Sequence, residues 1–270
     1  MDTREILGVL ALAVLWINSL LIFAVALRQA ANVRAVRSRL VRARGRGELI
    51  RGEVASAGGE AFALRTISQI GRAMTVKGPE RILFSDGPQS FDVIGGVVET
   101  PEGPIEVARA APGLGEVWTS EAREQEVASR ADARAFDAAY KPASTQRGFR
   151  REVAIDVRAG DAVWVSGSRS GDRLEATEDK PLLVSLVDPI AWCGGRIRAA
   201  YAFVATAALL LCGLTTLVLW PPRFGTLSTI GGALCLAYFI LVQPAGVSLR
   251  DRVRVPSRRL VGGLWRRAAS

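Results

Sequence analysis

The sequence predicts a membrane protein: three transmembrane α-helices plus a mainly-β soluble domain, a small barrel or OB-like fold, with one surface helix. Three observations predict it. Three apolar runs, at 6–27, 199–220 and about 225–249, are each long enough to cross a bilayer. Between the first two lie short alternating segments broken by glycine turns, the pattern of a compact all-β core. Arginine is concentrated beside the apolar runs rather than spread along the chain. The 49% apolar content of the 270 residues agrees with membrane insertion.

A hydrocarbon core about 30 Å thick needs roughly 20 helical residues at 1.5 Å each. Residues 6–27 contain no charge, and only Asn18 and Ser19 are polar. This run is longer than a signal-peptide core, and Asp2, Arg4 and Glu5 supply no positive excess before it. It reads as an uncleaved anchor, residues 1–27. Residues 199–249 read as a helical hairpin around Pro221-Pro222-Arg223, with Gly231-Gly232 and the face of Ala202, Ala205 and Ala208 allowing close packing. No Asp, Glu, Lys or Arg lies inside the three runs, which argues against transport or proton relay.

The charge arithmetic sets the orientation. Residues 28–51 carry +7, residues 52–190 carry −6, and the tail 250–270 carries +6. The basic linker 28–46 holds Arg34, Arg37, Arg39, Arg42 and Arg44, and the tail holds Arg252, Arg254, Arg258 and Arg259. Cytoplasmic flanks collect such residues, so the N-terminus is expected outside and both the central domain and the tail inside, in a plasma or cell inner membrane. These arginines are the expected membrane-surface flank, each gaining on the order of 1 kcal/mol from anionic lipid. The excess of base is juxtamembrane and the folded portion is acidic, so a nucleic-acid partner is not expected.

In the central domain, 47–190, strands are predicted at 48–57, 81–84, 91–100 and 105–108. Residues 151–157 alternate strictly, with Val153, Ile155 and Val157 on one face. After a turn at Gly160-Asp161, Val163 and Val165 continue the alternation until 166–171, and 174–176 and 182–187 supply the last strands. One helix is predicted over 120–140, capped by Ser120, with Glu121 and Glu124 in its first turn and Lys141-Pro142 at its end. Gly113-Leu114-Gly115 lacks the third glycine of a nucleotide fingerprint and reads as a loop before a strand or helix start at Trp118.

Histidine is absent, which excludes imidazole bases and histidine metal ligands. Cys193, Cys212 and Cys235 form no CxxC pair. Asp172, Glu175, Glu178 and Asp179 do not match a calcium loop and read as a solvated hairpin end. Ser166 to Ser170 lack the nucleophile-elbow spacing, and Lys77, Lys141 and Lys180 have no recognisable serine partner. No catalytic, cofactor-binding or metal residue is assigned, and no small-molecule substrate.

One run stands out within the domain: Gly160-Asp161-Ala162-Val163-Trp164-Val165-Ser166-Gly167, followed by Pro181-Leu182-Leu183-Val184-Ser185 shortly before a membrane helix. This order of parts resembles the GIDE, or "beside a membrane" (BAM), domain of RING-type ubiquitin ligases, in a shorter prokaryotic-type form, over roughly 82–211. Gly160, Asp161, Val163, Val165 and Gly167 carry the resemblance. It implies a domain that engages partners beside a membrane while a C-terminal RING finger recruits the ubiquitin-charged enzyme. A RING needs eight Cys or His ligands, and none follows the last apolar run. The expected function is a non-catalytic integral membrane protein that presents a protein-interaction domain at the cytoplasmic surface, for a protein partner or a second copy. The alternative is a ubiquitin-ligase-like component whose RING lies on another chain.

Overall fold

The structure, a computed structural model, describes residues 3–74, 81–135, 149–220 and 226–253. In chain order the elements are α1 (Thr3–Gly45), β1 (Leu49–Ala57), β2 (Ala63–Met74), β3 (Arg81–Val93), β4 (Gly96–Thr100), β5 (Gly103–Val107), β6 (Gly115–Trp118), α2 (Glu121–Ala135), β7 (Phe149–Val157), β8 (Ala162–Ser166), β9 (Ser168–Ser170), β10 (Arg173–Glu175), β11 (Leu182–Ser185), α3 (Pro189–Leu219) and α4 (Thr226–Val253). They form two compact units, one of Met1–Arg39 with Ile190–Ser270 and one of Leu40–Pro189.

The first unit is helical, and α1, α3 and α4 are long and apolar enough to cross a membrane. Its packing is inverted relative to a water-soluble bundle. Leu21, Leu209 and Leu241 are 64%, 74% and 67% exposed, an arrangement that lipid tails tolerate and water does not. A narrow seam of Leu15, Phe23, Ala207, Leu211, Tyr238 and Val242 is buried instead. Polar side chains cross-link it: Trp16 Nε1 donates to Thr215 Oγ1 at 3.0 Å, the Tyr238 hydroxyl to the Ala207 carbonyl at 3.2 Å, and Ser228 Oγ to the Val218 carbonyl at 2.8 Å. Within its apolar run the buried positions of α3 are Ala200, Ala207 and Leu211, whereas Ala202 and Ala205, expected in the packing face, are exposed.

The segment expected as a linker, 28–46, continues α1 as far as Gly45. Its Ala, Arg and Leu content favours helix, and Ala30, Val33, Val36 and Leu40 are buried at spacings of three and four. The helix stops in a Schellman arrangement. Gly47, at φ 68°, donates to the Arg44 carbonyl at 3.1 Å and Glu48 to the Ala43 carbonyl at 2.8 Å. The second apolar helix likewise extends beyond its apolar run, since α3 begins at Pro189, four residues after β11.

The second unit holds an eight-stranded sheet ordered β6-β11-β8-β1-β4-β5-β10-β9 and a three-stranded sheet ordered β3-β2-β7. Pairing is antiparallel except for β5 with β10 and β6 with β11. Both sheets contribute to one core: Val54, Val98, Val163, Val165, Leu174 and Val184 from the larger, with Ala63, Val93 and Val157 from the smaller and Phe62 just ahead of β2. Ser166 and Ser168 are separated by Gly167 alone, yet β8 and β9 stand third and eighth in the order of the larger sheet.

The predicted strand 91–100 is two strands, broken at Ile94-Gly95. Gly95 has φ 86°, and a Cβ on it would lie 2.2 Å from the Val107 carbonyl oxygen, so the break needs glycine. The loop expected at 113–115 ends early, and of the strand or helix left open at Trp118 the strand is found: Gly115–Trp118 form β6, buried at all four positions and paired with β11. The long strand β2 had no counterpart in the sequence reading. Its buried phase is Ala63, Arg65 and Ile67, and the arginine interrupts the apolar alternation that would mark a strand. In α2, Ser120 Oγ accepts the Arg123 N–H at 3.2 Å, the predicted cap; residues 136–140 of the expected helix lie outside the described residues.

Candidate functional site

The glycine-flanked run 160–167 joins three elements. Gly160, at φ 87°, turns the chain after β7, and its N–H donates to the Val54 carbonyl at 2.8 Å while the Val54 N–H donates to the Asp161 carbonyl at 3.0 Å. The Asp161 carboxylate accepts both terminal nitrogens of Arg123, each at 3.2 Å, and the Arg158 N–H at 2.8 Å. Arg123 also donates to the Asp156 carbonyl at 2.7 Å. A fork of this kind matches a carboxylate in both charge and geometry. Partial burial, the largest single influence, pushes the Asp161 carboxyl up. The Arg123 hydrogen bonds, the Arg158 N–H and the two guanidinium charges together outweigh it and hold the carboxyl below its ordinary 3.8.

Beyond Asp161, Val163 and Val165 point into the core and are fully buried. Trp164, between them, faces outward and is half-buried. Gly167 ends the run where space is short: a Cβ there would meet Leu182 Cδ1 at 2.7 Å and the Glu175 carbonyl oxygen at 2.9 Å. These residues are therefore the structural joint of the domain, and Trp164 is the large side chain among them that reaches the surface.

The surface around Trp164 is the one the geometry singles out. Arg51 on β1 is the direct cross-strand partner of Trp164, and Ser185 on β11 is its partner on the other side. The Arg51 guanidinium lies 5.9 Å from the Trp164 ring centre and that of Arg44, from the last turn of α1, lies 5.5 Å from it. A shallow cleft of about 280 Å³ opens here, lined by Arg51, Ala162, Val163, Trp164, Leu186 and Asp188. The turn that follows α1 is held to the β-rich unit by further contacts: Lys180 Nζ to Glu48 Oε1 at 2.7 Å and Arg169 to the Gly47 carbonyl at 3.3 Å.

Of the expected basic flank, Arg44 alone joins the Trp164 site. Arg34, Arg37 and Arg42 are exposed along α1 and Arg39 is half-buried. Arg252 falls in the last turn of α4, and Arg254, Arg258 and Arg259 lie outside the described residues. Sequence reasoning missed a second polar centre. Arg65, with a side chain 6% exposed, pairs with Glu124 and donates to Thr119 Oγ1 at 2.6 Å and Gln89 Oε1 at 3.3 Å, while Thr119 Oγ1 donates to Glu124 at 2.6 Å. Glu124 lies in the first turn of α2 as expected and is also the counter-ion of a buried arginine. The signal that would have found it is a lone Arg in the inward phase of a strand. Among the described residues no three His, Cys, Asp or Glu side chains converge as a metal site. No protein-family model matches the chain, and neither a curated protein nor a solved structure is significantly similar to it.

Proposed function

We propose that the chain is an integral membrane protein whose β-rich unit is a protein-interaction module displayed at the cytoplasmic face, binding a protein partner or a second copy. One observation carries this reading. The module is connected at both ends to helices long enough to span a bilayer, α1 running unbroken to Gly45 and α3 starting at Pro189. A domain tethered twice stays at the surface and meets its neighbours at a raised effective concentration. The arginine-rich flanks after the first span, before the second and after the third support an N-terminus outside and a module inside.

A small closed barrel is the form of the larger sheet that its connections favour. Five strand spacings of about 4.8 Å separate β8 from β9 if the sheet is flat, or roughly 24 Å, while a single residue spans about 3.5 Å. The passage through Gly167 supports a sheet that curls until its ends meet. Kinship with the GIDE/BAM domain is proposed on the same run, and it favours partner binding beside a membrane.

Photocross-linking from position 99 tests the interaction role in native membranes, since Glu99 is exposed on β4. Protein adducts, to a partner or to another copy, are expected there and lipid adducts from lipid-facing Leu209. Only lipid adducts at both positions would overturn the reading.

A further inference from the structure

We infer that the Trp164 wall is a docking site for an acidic, partly apolar peptide segment of a protein partner, with Arg44 and Arg51 as its anion-binding pair. The inference rests on the interaction-module reading and gives that module a ligand chemistry. Two exposed guanidiniums are drawn to one indole ring, 5.5 and 5.9 Å from its centre, and among the described residues neither has a carboxylate partner. Both positive charges flank the same ring without an acidic neighbour in contact among the described residues, and an arriving carboxylate supplies the missing counter-charge, to which the planar forks donate bidentately. Aromatic and arginine side chains grouped at a concave surface are the residue types that dominate protein recognition.

The rest of the cleft defines the remainder of the ligand. Leu186, Ala162 and the Trp164 ring offer apolar surface, and Asp188, the one acidic lining residue, disfavours a wholly anionic ligand such as free phosphate. Carboxylates alternating with apolar side chains fit both halves.

A membrane surface is the competing source of anionic groups, and the lining disfavours it: Asp188 among the cleft residues opposes a continuous sheet of anionic headgroups, whereas a peptide can set an apolar side chain beside it.

The test uses the full chain in phosphatidylcholine nanodiscs and a fluorescein-labelled Glu/Leu-repeat peptide, read by anisotropy, with a Lys/Leu-repeat peptide as the charge-reversed control. Wild type is expected to bind the acidic peptide and not the basic one. Arg44→Gln with Arg51→Gln weakens binding about tenfold, Lys at both positions recovers most of it, and Arg34→Gln with Arg37→Gln changes it less than about twofold. Absence of wild-type binding, or equal loss in both glutamine pairs, overturns the inference. So does quenching of Trp164 by a spin-labelled headgroup in phosphatidylserine nanodiscs, identified by its loss in Trp164→Phe, which assigns the site to lipid. Protein adducts from position 99 that persist when the peptide fails leave the module reading standing and remove only this site.

Discussion

Glu124→Ala is expected to destabilise the β-rich unit by about 3–5 kcal/mol, the cost of leaving a buried guanidinium without its counter-ion. Arg65 is held inside by Glu124, Thr119 and Gln89, and its Nε already has no partner among the described residues. Removing the carboxylate takes away the one negative charge in that cluster, while Thr119 and Gln89 supply only neutral acceptors. The paired replacement Arg65→Met with Glu124→Leu removes both charges and is expected to fall within about 1–2 kcal/mol of wild type, because the desolvation cost disappears with the ion pair. Thermal melting of the full chain in detergent, followed by near-ultraviolet circular dichroism, separates the two. A single variant less harmful than the double would contradict the assignment of Glu124 as the essential counter-ion.

Asp161→Asn is expected to cost about 2 kcal/mol at neutral pH, since it exchanges a charge-assisted fork with Arg123 for neutral hydrogen bonds. It also removes a pH dependence whose sign follows from the carboxyl lying below its ordinary value in the folded chain. The unfolded chain binds the proton more tightly than the folded one. The stabilisation is therefore complete above about pH 4 and is lost as pH falls through the lower folded value. Melting temperatures measured from pH 6 downward are expected to drop more steeply for wild type than for Asp161→Asn across that acid range. Parallel curves would show that Asp161 is not held by Arg123 and Arg158 as described.

How much of this was legible in the sequence depends on how each residue reports its environment. The apolar runs reveal themselves because lipid-facing and core-facing positions are both apolar, so no phase has to be guessed. Residues 151–157 are equally plain, since one face is core and the other solvent. The extent of α1 was not, because an arginine-rich segment with its apolar residues at every third or fourth place reads as a flank unless its buried stripe, Ala30, Val33, Val36 and Leu40, is noticed. β2 was hidden by Arg65, a charge in an inward phase that only tertiary pairing explains.

The site divides the same way. The run 160–167 was visible as a glycine-bounded strand expected in a hairpin. Its valines lie where alternation puts them, but β7 and β8 belong to different sheets and do not pair, so the turn at Gly160 is a crossing between sheets. What alternation cannot supply is company: Arg123 comes to Asp161 from α2, and Arg44 comes to Trp164 from the end of α1. Both meetings depend on the three-dimensional path of the chain. Sequence spacing contains no trace of either.

The most direct measurement of the central claim is side-selective labelling. With Cys193, Cys212 and Cys235 replaced by alanine, a single cysteine is placed at Glu102, exposed in the β4–β5 turn, or at Asp2, ahead of the first span. A membrane-impermeant maleimide added to intact cells is expected to label position 2 and spare position 102, and opened membranes should expose position 102. Labelling of position 102 in intact cells, with position 2 protected, would put the β-rich unit on the opposite face and contradict the account.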